Sequence, residues 1–109
     1  MDNLFAKKCI PCEGGVEPLS GEVVQKYLPQ LKNGWEVVDN KKIKYQFEFG
    51  SFKEAMIFVA RVGEIAEEEG HHPDIHIYYN KVEIWLWTHS IGGLSENDFI
   101  IAAKIESLL

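Results

Sequence analysis

Residues 74–87 read DIHIYYNKVEIWLW, and the fold follows from how this stretch pairs with itself. Two runs, DIHIYY and VEIWLW, flank Asn80-Lys81 and alternate with the period of two that belongs to half-buried strands. They predict a tight β-hairpin. A two-residue loop at 80 and 81 sets Tyr79 opposite Val82, Ile77 opposite Ile84 and Ile75 opposite Leu86. Extended past the strand ends, this register brings His72 across from His89. Three histidines then meet at one end, and His76 stands apart, opposite Trp85, as a structural residue. The face carrying His76, Tyr78, Trp85 and Trp87 is too aromatic to meet water alone, so a flat heteroaromatic ligand, the N-terminal arm or, as the favoured reading, a partner subunit is expected to cover it.

Working outward, Pro73 biases His72 toward extended geometry at the strand entrance. Gly70 is placed to stop a helix. That helix is predicted from about 51 to 69, opened by the capping-box pair Ser51 and Glu54, with Phe52, Ala55, Met56, Val59, Val62 and Ala66 as its buried stripe. Upstream, Ile43, Tyr45, Phe47 and Phe49 alternate with Lys44, Gln46 and Glu48, and Asp39-Asn40-Lys41 has the composition of a turn, so residues 35–49 form another hairpin. Ser20 caps a first helix that places Val23, Val24, Tyr27, Leu28 and Leu31 on one side and breaks near Pro29. Downstream, Ser95 and Asp98 repeat the capping-box spacing before FIIAAKIESLL, read as an amphipathic helix. The fold class is α+β in the order α-β-β-α-β-β-α, a four-stranded antiparallel sheet with three helices on one face. Residues 19–109 form one domain behind an irregular, loosely packed arm at 1–18.

With 109 residues and 46% hydrophobic content the chain suits one modest core. A net charge of −6 argues against a nucleic-acid surface, which needs clustered Lys and Arg. No apolar run approaches the roughly 20 residues that span a bilayer, and the first residues lack the apolar core of a signal peptide, so a cytoplasmic location is the expectation. Cys9 and Cys12 form a CxxC open to three readings: reduced thiols, a redox pair or half of a zinc site.

A histidine cluster admits proton transfer, zinc binding or ordinary packing. Adjacent His71 and His72 on extended backbone point to opposite sides, which hinders joint ligation of one ion but suits proton transfer at two positions of a bound molecule. Imidazole has an ordinary pKa of about 6.5 and can give or take a proton near neutrality, for roughly 10²–10⁴ in rate. Glu67 lies one turn before His71, as a participant or as one more carboxylate of the acidic run 67–69. Asp98 is a possible site residue or only a cap.

Glu67, His71-His72-Pro73, Tyr79, His89 and Asp98, at these spacings, resemble the signature of the pterin-4a-carbinolamine dehydratases. Gly34-Trp35, Tyr79-Asn80-Lys81-Val82, Thr88-His89 and Gly93-Leu94-Ser95 also look like that family, over about residues 19 to 109. Gly70 departs from members that carry an acidic residue there. The resemblance implies dehydration of 4a-hydroxytetrahydropterin, such as the tetrahydrobiopterin carbinolamine, to quinonoid dihydropterin, which regenerates the cofactor of aromatic amino acid hydroxylation. It implies His71, His72 and His89 as catalytic groups and Glu67, Asp98 and Trp35 as substrate-binding groups, Trp35 having a hairpin-core role as its alternative. Neither a metal nor a bound cofactor is implied, and a homodimer or homotetramer is expected. Two other classes stay open: the homeodomain dimerisation-cofactor role of animal family members, and a zinc domain built from His71, His89 and the CxxC.

Overall fold

A computed structural model describes residues 4–10 and 17–109. The CxxC lies only partly within them, since Cys12 falls outside. The main elements are α1 (Gly21–Tyr27), β1 (Glu36–Val38), β2 (Lys42–Glu48), α2 (Phe52–Glu69), β3 (Asp74–Tyr78), β4 (Lys81–Leu86) and α3 (Glu96–Glu106). The architecture is the expected α+β fold. All strands pair antiparallel in the order β1-β2-β4-β3, so the two hairpins join through β2 and β4. Ile43, Phe47, Val82, Ile84 and Leu86 make the inner sheet face and pack with Phe58, Val62, Phe99, Ile101 and Ile105 of the helices. Each such burial contributes about 1.5–3 kcal/mol relative to exposure.

The β3–β4 hairpin turns one position earlier than its composition suggested. Tyr78 pairs with Lys81, Ile77 with Val82, Ile75 with Ile84 and His76 with Glu83, so the loop is Tyr79-Asn80 and the register differs by two residues. The shift preserves which face each side chain occupies. It depends on Tyr79 adopting φ 56°, a left-handed conformation uncommon for an aromatic residue. Asn80 secures the turn by donating to the Phe49 carbonyl at 2.7 Å while its own carbonyl accepts from the Phe49 N–H. The β1–β2 turn keeps its expected place, with Asp39 and Asn40 both at positive φ.

Helix ends follow their caps. Ser20 Oγ accepts from Val23 N–H, and α1 gives way to a 3₁₀ turn at Leu28–Gln30 that contains Pro29. Ser51 Oγ accepts from Glu54 N–H at 3.1 Å, and Gly70 ends α2 at φ 66°. The buried stripe of α2 is Ala55, Phe58, Val62 and Ala66, which corrects the expected one: Phe52 and Met56 are 49% and 39% exposed. Phe58 wins the inward position because Phe47 and Phe49 receive its ring at 4.9 and 4.8 Å. Helix α3 is not amphipathic either. Residues 97–102 are all buried, because the arm covers the side of α3 that composition left to solvent. The arm's described part is therefore packed rather than loose: Leu4 is 3% exposed within the core.

On the outer sheet face, Lys42 Nζ sits 4.5 Å from the Trp87 ring centre and Lys44 Nζ 4.9 Å from that of Trp85. Within one chain these ammonium groups already cover part of the tryptophan surface.

Candidate active site

Gly70 turns the chain out of α2, and the next two residues take different directions. The His71 side chain is 12% exposed, and its Nε2 lies 2.7 Å from Asp98 Oδ1. That of His72 is 62% exposed, with Nε2 2.7 Å from Oε2 of Glu67, itself 79% exposed. His89 follows β4 at the start of the 3₁₀ turn His89–Ile91, its ring 3.8 Å from that of Trp87. All three histidines line one open cleft of about 660 Å³, together with Asp74, Trp87, Thr88, Ser90 and Asn97. His72 and His89 thus share a cleft without facing each other in the ladder: β3 starts only at Asp74, which pairs with Trp85.

Asp98 is wholly buried, and each of its oxygens has its own work. Oδ2 accepts from Ser95 N–H and from Thr88 Oγ1, both at 2.9 Å, which closes the start of α3. Oδ1 is left to His71. The cap of α3 and the partner of His71 are one group. Since Thr88 gives its proton to Asp98, the 2.7 Å contact between the Thr88 and Ser95 hydroxyls is donated by Ser95. A chain of donors from Ser95 through Thr88 ends on the carboxylate that orients His71, and such chains polarise and reinforce one another. With the other donors directed at the Asp98 carboxylate, His71 Nε2–H is assigned as the donor in their contact, so in the neutral imidazole Nδ1 carries the lone pair.

Two further residues, His76 and Trp35, stand away from the cleft. His76 lies outside the cleft, paired across the ladder with Glu83 and 6.5 Å from the Tyr78 ring. Trp35 is 5% exposed, packed against Tyr45 and Phe47, and donates Nε1–H to Glu106 at 3.0 Å. It is a core residue of the first hairpin and does not line the cleft of its own chain. Among the described residues no three His, Cys, Asp or Glu side chains converge as the ligands of an ion would. No described helix is long and apolar enough to cross a membrane.

Residues 17–108 match the family model of pterin 4 alpha carbinolamine dehydratase. The chain belongs to this family. A Rubrobacter xylanophilus protein provisionally named as a pterin-4-alpha-carbinolamine dehydratase is 50% identical over 99% of this chain and 100% of its own length. One of the same name from Alkaliphilus metalliredigens is 46% identical over 97% and 96%. Among solved structures, a Brucella melitensis protein described as a transcriptional coactivator/pterin dehydratase superposes with TM-score 0.79 at 33% identity, covering 84% of this chain and 98% of that one. As a pterin carbinolamine dehydratase family member, the chain adds to the signature residues two links to Asp98 and one to the arm that its sequence did not show. Ser95, legible as a cap, reaches Asp98 through its N–H, and Thr88 through a hydroxyl whose partner no local pattern signals. Asn97 reaches residue 10, a contact that no local pattern signals.

Proposed function

We propose that this protein acts in the cytoplasm as a dehydratase for 4a-hydroxytetrahydropterins, the tetrahydrobiopterin carbinolamine among them, by imidazole acid–base catalysis at His71, His72 and His89. The observation that carries this reading is the His71–Asp98 contact inside a cleft shared with two further histidines. A base takes the N5 proton of the carbinolamine, the electron pair forms the C4a=N5 bond, and the C4a–O bond breaks as the leaving hydroxyl receives a proton from an acid. Water and quinonoid dihydropterin result, with protons and electrons in balance. His71 suits the base: with Nε2–H given to Asp98, Nδ1 is its acceptor, and the buried carboxylate stabilises the imidazolium that forms. His72 and His89 line the same cleft and supply the acid. Glu67 supports His72 from solvent.

We also assign the chain a homo-oligomeric state. Phe52 and Ile57 of α2, Ile77 of β3 and Tyr79 of the β3–β4 turn stand 49%, 47%, 39% and 71% exposed, with the Phe52 and Tyr79 rings stacked 6.4 Å apart. Exposed apolar side chains of this kind are often covered by a second subunit. The test of function is a dehydration assay on synthetic 4a-hydroxytetrahydropterin. Turnover by the unaltered protein supports the reading, and no acceleration over buffer refutes it.

A further inference from the structure

The arm is stapled to the domain at successive points. Lys104 Nζ donates to the Phe5 carbonyl at 3.0 Å, Lys7 Nζ lies 2.9 Å from Glu96 Oε2, and Glu69 Oε1 accepts from Cys9 N–H at 2.8 Å. Asn97 makes the last described hold. Its side-chain oxygen accepts from Ile10 N–H at 3.0 Å and its amide nitrogen donates to the Ile10 carbonyl at 2.5 Å. One side chain thereby satisfies both backbone groups of one residue, as a neighbouring strand would. Asn97 is 6% exposed and directly precedes Asp98, so the first turn of α3 fixes the arm with one residue and His71 with the next.

Ile10 is the reverse case. Its backbone is pinned, yet its side chain remains largely bare, at 70% exposure for the residue, and it lines the cleft that holds the three histidines. Clefts that bind small molecules combine apolar walls with a few aimed polar groups. Here most of the lining residues are polar, and Ile10 joins Pro73 and Trp87 as its large apolar side chains. We propose that Ile10 is a substrate-contacting wall of the cleft and that Asn97 is the positioning residue that holds it in place, an inference that rests on the pterin reading of the site. The reacting C4a–N5 edge belongs to the imidazoles, so the wall meets the pterin elsewhere and contributes binding shared by ground and transition states. Such contacts govern KM rather than kcat.

The test compares the unaltered protein with Asn97→Ala, Ile10→Ala and the double variant. Each is assayed for kcat and KM with the carbinolamine, and for Kd with fully oxidised biopterin, which has no 4a-hydroxyl to lose. Each single variant should raise KM and Kd on the order of tenfold with kcat within about twofold. The double variant should be no worse than either single one, because Asn97 acts through Ile10. Hydrogen exchange at the Ile10 amide should accelerate in Asn97→Ala and stay slow in Ile10→Ala. Additive losses, unchanged KM and Kd, or a fall confined to kcat would overturn the proposal. Should Asn97→Ala fail to fold, Ile10→Ala alone decides it through Kd. If the unaltered protein binds biopterin but does not dehydrate the carbinolamine, the catalytic reading falls while the Kd comparison still judges the wall.

Discussion

Two histidine–carboxylate pairs of equal length, 2.7 Å, sit at neighbouring positions of the same chain, and their surroundings make them different objects. His71–Asp98 is enclosed: the carboxylate is wholly buried and also receives Thr88 and Ser95, so the imidazole has one orientation. His72–Glu67 stands in solvent, with side chains 62% and 79% exposed, where an ion pair typically contributes less than about 1 kcal/mol. Distance alone does not rank the two. What ranks them is how many other groups must move before the contact can break, and for Asp98 that includes the start of α3.

The comparison breaks first at His71. His71→Ala should lower kcat for carbinolamine dehydration by about a hundredfold or more, the share expected of a positioned general base. A folded variant within threefold of the unaltered protein would leave the buried pair a structural brace. Next, His72→Ala and His89→Ala should each cost about tenfold, as groups that share the cleft with less support. If His72→Ala proved worse than His71→Ala in stopped-flow traces, the ranking by enclosure would be reversed. The smallest effect belongs to His76→Ala, outside the cleft, with turnover within about twofold and any change confined to the melting temperature. Melting curves accompany every variant, since activity lost through unfolding says nothing about proton transfer.

Much of this was legible in the sequence, and what was not has identifiable causes. The alternation of VEIWLW and KIKYQFEF, the turn at Asp39-Asn40, the cap Ser51 and the stop at Gly70 all act locally, and the elements appear where those signals put them. The hairpin register slipped by two because Asn80-Lys81 has turn composition while Tyr79, the residue that takes positive φ, does not. A slip of an even number of residues leaves the faces unchanged, which is why the histidine cleft was still anticipated. Asp98 was legible as a cap, and the structure shows that the same carboxylate also meets His71. Packing hid the remainder. Met56 and Phe58 have similar apolar character, and only the aromatic cluster of Phe47 and Phe49 decides which of them turns inward. Glu106, expected on an amphipathic helix, is buried because Lys32 and Asn33 backbone N–H groups and the Trp35 indole converge on it across more than seventy residues. That network takes Trp35 out of the cleft.

The most direct test replaces each carboxylate by its amide in turn and compares the turnover of folded Asp98→Asn with that of folded Glu67→Gln. In Asp98→Asn the amide oxygen still accepts from Thr88 and Ser95, so its nitrogen faces His71 as a donor and forces the proton from Nε2 to Nδ1. Glu67→Gln changes only a solvated contact. The enclosed-pair account predicts a fall in kcat of about a hundredfold for Asp98→Asn against no more than about threefold for Glu67→Gln. Equal losses, or a larger loss for Glu67→Gln, would contradict it.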